Sequence, residues 1–388
     1  MNFIDKIYKA RDSVSKGHYA ILHFAGLCLR FFYYTRFLSM GLTLGMCGYP
    51  QSGKKTLMQL LTNNSYDAKK GIGIATIYDE RFNTLVQLYK PKKVAPATLN
   101  LNLIGNIDDD IIKEGSIFND IAGMDALCLV VRAFTDESVY HVKGSVDALR
   151  DYEKLVGEFL LHDMVFVEKR IQRLDADKKK TAQQKESELL LLQKFLRHLE
   201  SGNILNNLTL SETELMIIKS YPFITLKKII VVFNTDDNDA SLLQRFKEKF
   251  SGHGVYALCV PVKLELEIAS IADEQERREF YQSLGIAKPA LHMLCDAMIN
   301  SLGLQSFFTV GEDEVKQWLI PQGVSAPVAA GYIHSDIQRG FIRAELMHYD
   351  DFIAAGSEEN LKKQGKYHLV GKDYMMQDGD IVSFRFNV

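Results

Sequence analysis

The chain has 388 residues, 47% of them hydrophobic, and a formal net charge of −3. This length is enough for two or three domains with buried cores. The near-neutral charge excludes a global attraction to DNA or RNA, so any RNA contact must come from a local patch. Five cysteines, at positions 28, 47, 128, 259 and 295, show neither CxxC nor Cys/His spacing. This argues against a disulfide framework and a zinc site, and indicates a reducing cytoplasm.

Residues 1–39 contain an apolar stretch, 19–29, that Arg30 interrupts and Arg36 follows. The stretch is too short to span a bilayer, and no small-residue cleavage site follows it. One interpretation is a membrane-associated helix. The interpretation we favour is an upstream extension outside the fold, with the first domain beginning at Met40 and no membrane association.

Short apolar runs recur along the first three hundred residues, at 42–47, 72–77, 99–104, 126–131, 229–233 and 255–260. Helical patterns separate several of these runs. Strands that alternate with helices predict an α/β domain with a mostly parallel sheet and crossover helices.

A glycine-rich segment with the pattern of a phosphate-binding loop (P-loop) follows the first predicted strand and precedes a helical stretch. In that order, backbone N–H groups and the helix N-terminus bind phosphate, and Lys54 reaches the β and γ oxygens. The alternative is a glycine turn without a ligand. The candidate nucleotide-binding residues are Gly48, Gln51, Ser52, Gly53, Lys54, Lys55 and Thr56.

Lys55 stands where this motif has the Ser or Thr whose hydroxyl binds Mg²⁺. Thr56 is one residue late and on a helix points about 100° away. An ammonium group cannot coordinate a metal, so we predict phosphate binding and no metal ligand at this position. By its position alone, Lys55 is a candidate to supply the positive charge that Mg²⁺ normally brings.

Residues 147–222 have a different pattern, in which apolar residues recur at alternating steps of four and three in two runs. This spacing predicts an antiparallel helical hairpin inserted between two strands of the sheet. The first run is Leu160, Met164, Val167, Ile171 and Leu174; the second is Leu189, Leu192, Leu196 and Leu199.

Two short features accompany this hairpin. Ser211-x-x-Glu214 predicts a capping box and a short helix. The charged tip, residues 177–180, is either a solvated turn or a contact for a ribosome or RNA.

From residue 304 onwards, glycines and alternating strands predict a small mixed α+β module. We find no nucleophile–base pair in this module and expect it to have a binding role.

With these residues identified, the chain resembles the YchF/Obg-like ATPase family of P-loop GTPase-fold proteins over about residues 40–388. Lys90-Pro91 and Val130-Val131-Arg132 match the family, and the match is strongest in the C-terminal TGS domain. The matching C-terminal segments are Gln305-Ser306-Phe307-Phe308-Thr309, Ala330-Gly331-Tyr332-Ile333-His334, Gly340-Phe341-Ile342-Arg343-Ala344-Glu345 and Gly371-Lys372-Asp373-Tyr374.

The resemblance implies a Ras-like P-loop nucleotide-binding domain (40–146 and 223–303), a coiled-coil insertion (147–222) and a β-grasp TGS domain (304–388). It implies ATP or GTP as the ligand, with Mg²⁺, together with ribosome association and a role in translation or stress response. We expect a cytoplasmic monomer.

The sequence departs from the family where the metal is held. Besides Lys55, the segment between Thr62 and Ile72 offers no Thr, and Asn102 or Leu103 occupies the Asp position of the family's Asp-x-x-Gly. The second switch becomes an acidic run at 108–110. The tetrapeptide at 120–123 spells Asp-x-x-Gly, but we assign it to the helix before the next strand.

Asn234, Thr235 and Asp237 match the family's base-recognition motif. The resemblance implies that Asn234 braces the P-loop and that Asp237 accepts hydrogen bonds from the base. The family has Glu at the last position, whereas Asp is typical of guanine recognition, so ATP and GTP both stay open. The alternative is an acidic turn that ends a strand. Pro261 removes a backbone donor from the next loop.

His141 matches the histidine that the family is proposed to use in hydrolysis; the alternative is a structural histidine in a polar loop. Without a metal such a histidine helps little, because phosphoryl transfer depends on electrostatic stabilisation.

The sequence leaves two hypotheses for the function of the chain. One is a nucleotide-binding NTPase with weak or lost hydrolysis; the other is a non-enzymatic ribosome or RNA adaptor with a degenerate nucleotide domain.

Overall fold

The structure is a computed structural model that describes residues 42–107, 115–237, 239–286 and 288–387. The predicted extension 1–39 and the acidic run 108–110 lie outside the described residues. Within the described ranges, no helix is both long and apolar enough to cross a membrane.

The strands are, in chain order, β1 (Thr43–Cys47), β2 (Ile72–Thr76), β3 (Lys93–Ala95), β4 (Thr98–Leu103), β5 (Ala126–Arg132), β6 (Lys228–Asn234), β7 (Tyr256–Val260), β8 (Leu304–Thr309), β9 (Glu314–Pro321), β10 (Phe341–His348), β11 (His368–Val370) and β12 (Asp380–Phe386).

The α-helices are α1 (Lys54–Leu61), α2 (Glu80–Tyr89), α3 (Ser116–Ala122), α4 (Ala148–Leu174), α5 (Ala182–Glu200), α6 (Glu212–Ile218), α7 (Ala240–Lys249), α8 (Val262–Ala269), α9 (Glu274–Ser283), α10 (Ala290–Ser301), α11 (Ala326–Ile333), α12 (Ser335–Arg339), α13 (Tyr349–Ala355) and α14 (Glu358–Lys363).

The first sheet has the strand order β2-β4-β1-β5-β6-β7, and β2 is the one antiparallel strand among these. All seven residues of β5 are buried. Leu127 and Leu129 belong to one core cluster, whereas Cys128 and Val130 belong to another. A strand buried on both faces requires a continuous apolar run, which is the pattern that predicted this mostly parallel sheet.

Helices α4 and α5 form the predicted hairpin between β5 and β6. Asp147 caps α4, and Thr181 and Gln184 form a capping box at the start of α5. Leu192 and Leu199 are buried as predicted, but Leu191 and Phe195 are also buried, while Leu189 and Leu196 are half-buried. The predicted Ser211–Glu214 capping box begins α6. At the hairpin tip, Asp177 pairs with Arg170 and Lys180 with Glu188.

The second sheet has the order β11-β10-β12-β8-β9-β3. Strands β8 and β9 are antiparallel, and β12 is parallel to β8. Helix α11 places Ala326, Ala329 and Ala330 in the core of this sheet. Two hairpins around a central parallel pair, with a helix packed against the sheet, form a β-grasp fold.

One part of the predicted domain division differs from the structure. Strand β3 pairs in parallel with β9, with Lys93 opposite Glu314. In α2, Phe82 and Leu85 pack with Phe308 and other residues of the C-terminal domain. Residues 80–95, predicted to be part of the 40–146 segment of the nucleotide-binding domain, therefore pack on the β-grasp sheet. Pairing between strands more than 200 residues apart leaves no local pattern in the sequence.

Candidate functional site

A cavity of about 1090 Å³ lies at the carboxyl ends of the first sheet's parallel strands, where open α/β sheets commonly bind ligands. The P-loop, the segment before β2, the residues after β4 and the loops after β5 and β6 surround it. Its lining includes Pro50 to Thr56, Ala68 to Gly71, Leu103 to Asn106, Phe134 to Asp136, Val139, Asn234 to Asp236, Lys263, Leu264 and Glu267.

Two P-loop glycines are required by close approach and by backbone conformation. At Gly48 a Cβ would lie 2.2 Å from the Val130 oxygen, and the φ angle is +150°. Gly53 has a φ of +94°, and its Cβ would lie 2.1 Å from Asn234 Nδ2. Larger residues at these positions would clash and strain the backbone. The loop is therefore shaped by its contacts with β5 and with the end of β6.

Lys54 is buried at the start of α1 and is surrounded by oxygen atoms. Its ammonium donates to the Gly48 oxygen at 2.8 Å, the Tyr49 oxygen at 2.6 Å and Asn106 Oδ1 at 3.2 Å. Burial lowers the pKa of Lys54 to about 8, because a charge away from water is destabilised. Dipoles rather than a carboxylate satisfy this ammonium, which leaves its charge available to an anionic ligand.

Asn234 connects the P-loop to the neighbouring loop. Its Nδ2 donates to the Ser52 oxygen at 3.0 Å, and its Oδ1 accepts from the Val262 amide at 3.3 Å. The hydroxyls of Ser52 and Thr235 are buried in the cavity lining and have no hydrogen-bond partner among the residues that the structure describes. Buried polar atoms usually have a partner, so the cavity offers two unused donors to a polar ligand.

Lys55 and Asn102 are two residues that the sequence analysis compared with the family's metal ligands. Lys55 is exposed in the first turn of α1 and lines the cavity. Asn102 pairs with Gly45 of β1, and Gly105, three residues later, lines the cavity. The spacing to Gly105 favours Asn102 over Leu103 as the residue at the position of the family's Asp.

The other Asp-x-x-Gly tetrapeptide belongs to α3, as predicted. Residues 120–122 form the end of that helix, and Gly123 is its C-cap. Ile121 is fully buried, so this motif serves the core and not the cavity.

The structure does not place His141 in the cavity lining. The ring is buried; Nδ1 accepts from the Lys143 amide at 3.1 Å, and Nε2 lies 2.9 Å from Asp151 Oδ2. Arg132 holds the loop before it, donating to the oxygens of Val139 at 2.9 Å and Asp136 at 3.0 Å. In this conformation His141 contacts the start of α4.

Asp237 is exposed and is likewise outside the lining, whereas Asp236 is part of it. Asp236 Oδ2 accepts hydrogen bonds from the Thr135 amide at 2.9 Å and from the Thr135 hydroxyl at 3.1 Å.

Sequence reasoning missed Asn106, Lys69 and Lys70 as residues of the cavity lining. No motif marks them, because loop conformation alone brings them to the cavity.

The parallel sheet with its P-loop, the helical insertion and the β-grasp module define a P-loop NTPase-fold protein with a C-terminal β-grasp domain. A family model, YchF-GTPase_C, described as "Protein of unknown function (DUF933)", matches residues 304–387. The chain is 35% identical to the ribosome-binding ATPases YchF of Haemophilus influenzae, over 364 residues, and Bacillus subtilis, over 371 residues. Each match covers 90% of this chain and 100% of the relative.

The solved structure of the Schizosaccharomyces pombe YchF GTPase superimposes with a TM-score of 0.76 at 29% identity, covering 89% of this chain and 97% of that chain. The chain belongs to the YchF family.

Proposed function

We propose that this chain binds ATP or GTP in the cavity beside the P-loop and acts with ribosomes in the cytoplasm, with slow or no hydrolysis of the nucleotide. The observation that carries the proposal is the P-loop itself. Lys54 is held within it by oxygen atoms, and within the described part of the chain the Ser52 and Thr235 hydroxyls have no hydrogen-bond partner. The relatives' name, ribosome-binding ATPase YchF, supports both the ligand and the partner.

The cavity residues fit a nucleotide. The P-loop amides and Lys54 would bind the phosphates, as at other glycine-rich loops that precede a helix. Asn234 would keep the loop in place through its bond to Ser52. Asp236 and Glu267 line the side of the cavity formed by the loop after β6 and by α8, where carboxylates can accept hydrogen bonds from a base. Asp237 would join them only if the loop after β6 moved.

The donor set at the metal position does not fit Mg²⁺, which requires oxygen ligands, commonly carboxylates or hydroxyls. Lys55 offers an ammonium and Asn102 an uncharged amide. Phosphoryl transfer depends on charge neutralisation, and His141 is engaged beside Asp151. Both observations favour slow turnover.

Equilibrium titration with fluorescent ATP and GTP analogues, with Lys54→Ala as the control, tests the binding. We expect micromolar affinity that the control loses. Single-turnover hydrolysis assays should show little product above the uncatalysed background. Rapid hydrolysis would contradict the second part of the proposal.

The ribosome part is tested by co-sedimentation of the full chain with ribosomes, with and without nucleotide. Failure to sediment under both conditions would contradict it. Ribosome binding by a chain with no nucleotide affinity up to millimolar concentration would favour the adaptor function instead.

A further inference from the structure

Five lysines line the same cavity: Lys54, Lys55, Lys69, Lys70 and Lys263. Lys54 is buried, whereas the other four are exposed. Lys55 forms no hydrogen bond or ion pair with any residue that the structure describes. The Lys70 ammonium lies 4.0 Å from the nearest Asp67 oxygen, too far for a hydrogen bond. The cavity therefore carries more positive charge than the P-loop lysine alone supplies.

The segment that holds Lys69 and Lys70 has a defined turn. Asp67 Oδ1 accepts from the Lys69 amide at 3.0 Å and from the Lys70 amide at 3.1 Å. The Gly71 amide donates to the Asp67 oxygen at 2.7 Å. These bonds place two lysines in the segment that lacks the family's threonine.

The carboxylates in the lining belong to other segments. Asp136 follows β5, Asp236 follows β6 and Glu267 lies in α8. None of them comes from the P-loop or from the segments 68–71 and 103–106. Among the described residues, the part of the lining that would face the β- and γ-phosphates presents lysines, main-chain amides and Ser52. This residue is 2% exposed, and its hydroxyl has no hydrogen-bond partner in the described part of the chain.

We propose that Lys55, assisted by Lys69 and Lys70, binds the β- and γ-phosphate oxygens directly, so that this protein binds nucleoside triphosphates without a divalent cation. The inference rests on the proposed function. Any two of these three lysines carry a formal charge of +2, which equals the charge of one Mg²⁺ ion. Lysine binds phosphate as a compact point charge with three donors. The Lys55 ammonium beside Lys54 would repel a metal ion, which would also find no carboxylate at Asn102.

Isothermal titration of the full chain with ATP and with GTP, once in Mg²⁺ and once in EDTA, tests the inference. We expect the dissociation constants in the two conditions to agree within about threefold, less than the tenfold that corresponds to about 1.4 kcal/mol. Binding that requires Mg²⁺ would overturn the inference and leave the proposed function standing. No binding in either condition would overturn both.

Lys55→Ser, which restores the family's residue, is the decisive variant. Because Lys55 is exposed, the variant should fold, which a thermal melt verifies. We expect its affinity in EDTA to fall by about tenfold or more and its affinity in Mg²⁺ to fall less. Lys178→Ala, which removes an exposed lysine from the hairpin tip, is the charge-matched control and should bind like the parent. Unchanged affinity of Lys55→Ser in EDTA would overturn the inference.

Discussion

Asn234 Nδ2 donates a hydrogen bond to the main-chain oxygen of Ser52 over 3.0 Å, joining the end of β6 to a loop 182 residues earlier. The same side chain accepts from the Val262 amide. One buried amide therefore holds the P-loop against the start of α8, and residues of the P-loop and of α8 line the cavity.

We expect Asn234→Ala to lower the free energy of unfolding by about 1–3 kcal/mol, because it leaves two buried main-chain groups unpaired. Nucleotide affinity should also fall, since the P-loop loses the hydrogen bond from Asn234 that holds it in place. This fall should be larger than the small increase in unfolded protein alone would cause. Chemical denaturation and titration measure the two effects. Asn234→Asp, which keeps the acceptor for Val262 and loses the donor to Ser52, should retain part of the stability. Parent-like affinity in Asn234→Ala would contradict this role.

Gly53→Ala should damage the P-loop through its backbone. At φ +94° the new methyl would lie 2.1 Å from Asn234 Nδ2. We expect a loss of about 2–4 kcal/mol, the sum of left-handed strain and the displaced hydrogen bond. The control is Gly157→Ala in α4, where the methyl meets no atom within 4 Å. It should stabilise the protein by about 0.5–1 kcal/mol. Thermal melts of both variants measure the two changes in stability. Equal changes in the two variants would contradict the view that backbone conformation and close contact require glycine at position 53.

Nucleotide affinity should depend on pH through Lys54. Its pKa in the folded protein is about 8, below the ordinary 10.5, so the ammonium loses its proton as the pH rises past about 8. Phosphate binds the protonated form, and affinity should therefore fall above about pH 8, by at most tenfold per pH unit. Titration near pH 8.5 in two buffers of different ionisation enthalpy should show proton uptake. A flat affinity between pH 7 and 9 would contradict this.

The same shift has the opposite sign for the stability of the free protein. Between about pH 8 and 10.5 the unfolded chain holds the Lys54 proton that the folded chain has released. Stability from this group should therefore rise with pH across that window. Lys54→Met should lose this contribution, and denaturation curves at several pH values measure the difference.

Arg81 holds α2 on the β-grasp domain. Its Nη1 donates to Asp378 Oδ2 at 2.7 Å, and its Nη2 to Asp79 Oδ2 at 2.8 Å. Because Asp378 is half-exposed, a double-mutant cycle of Arg81→Gln and Asp378→Asn should give a coupling energy of about 1 kcal/mol. Lys92→Gln and Asp313→Asn, which remove a fully exposed pair, should couple more weakly. Equal coupling in both cycles would contradict a role for Arg81 at this contact.

The sequence predicted the elements that have their own periodicity or cap. The six strands of the first sheet, the α4–α5 hairpin and the Ser211 capping box were predicted correctly. Leu191 and Phe195 were missed in the hairpin seam because α5 buries a wider face than a strict heptad assigns. The pairing of Lys93 with Glu314 was missed because contacts between distant segments depend on tertiary packing.

The P-loop was predictable because its glycines occupy positions that the backbone requires. The contact between Lys54 and Asn106 was not, since no spacing rule links a lysine to an amide 52 residues later. The placement of His141 and Asp237 outside the cavity lining was also not predictable. A motif fixes where a residue lies in the chain, whereas the neighbours of its loop decide where the side chain lies in the fold.

A crystal structure of the full chain grown with excess ATP or GTP tests the central claim most directly. We predict phosphates on the main-chain amides of residues 51–55, with the Lys54 ammonium moved from the Gly48 and Tyr49 oxygens to a phosphate oxygen. A P-loop that stays empty at saturating nucleotide, with the Lys55 side chain folded into the phosphate position, would contradict it.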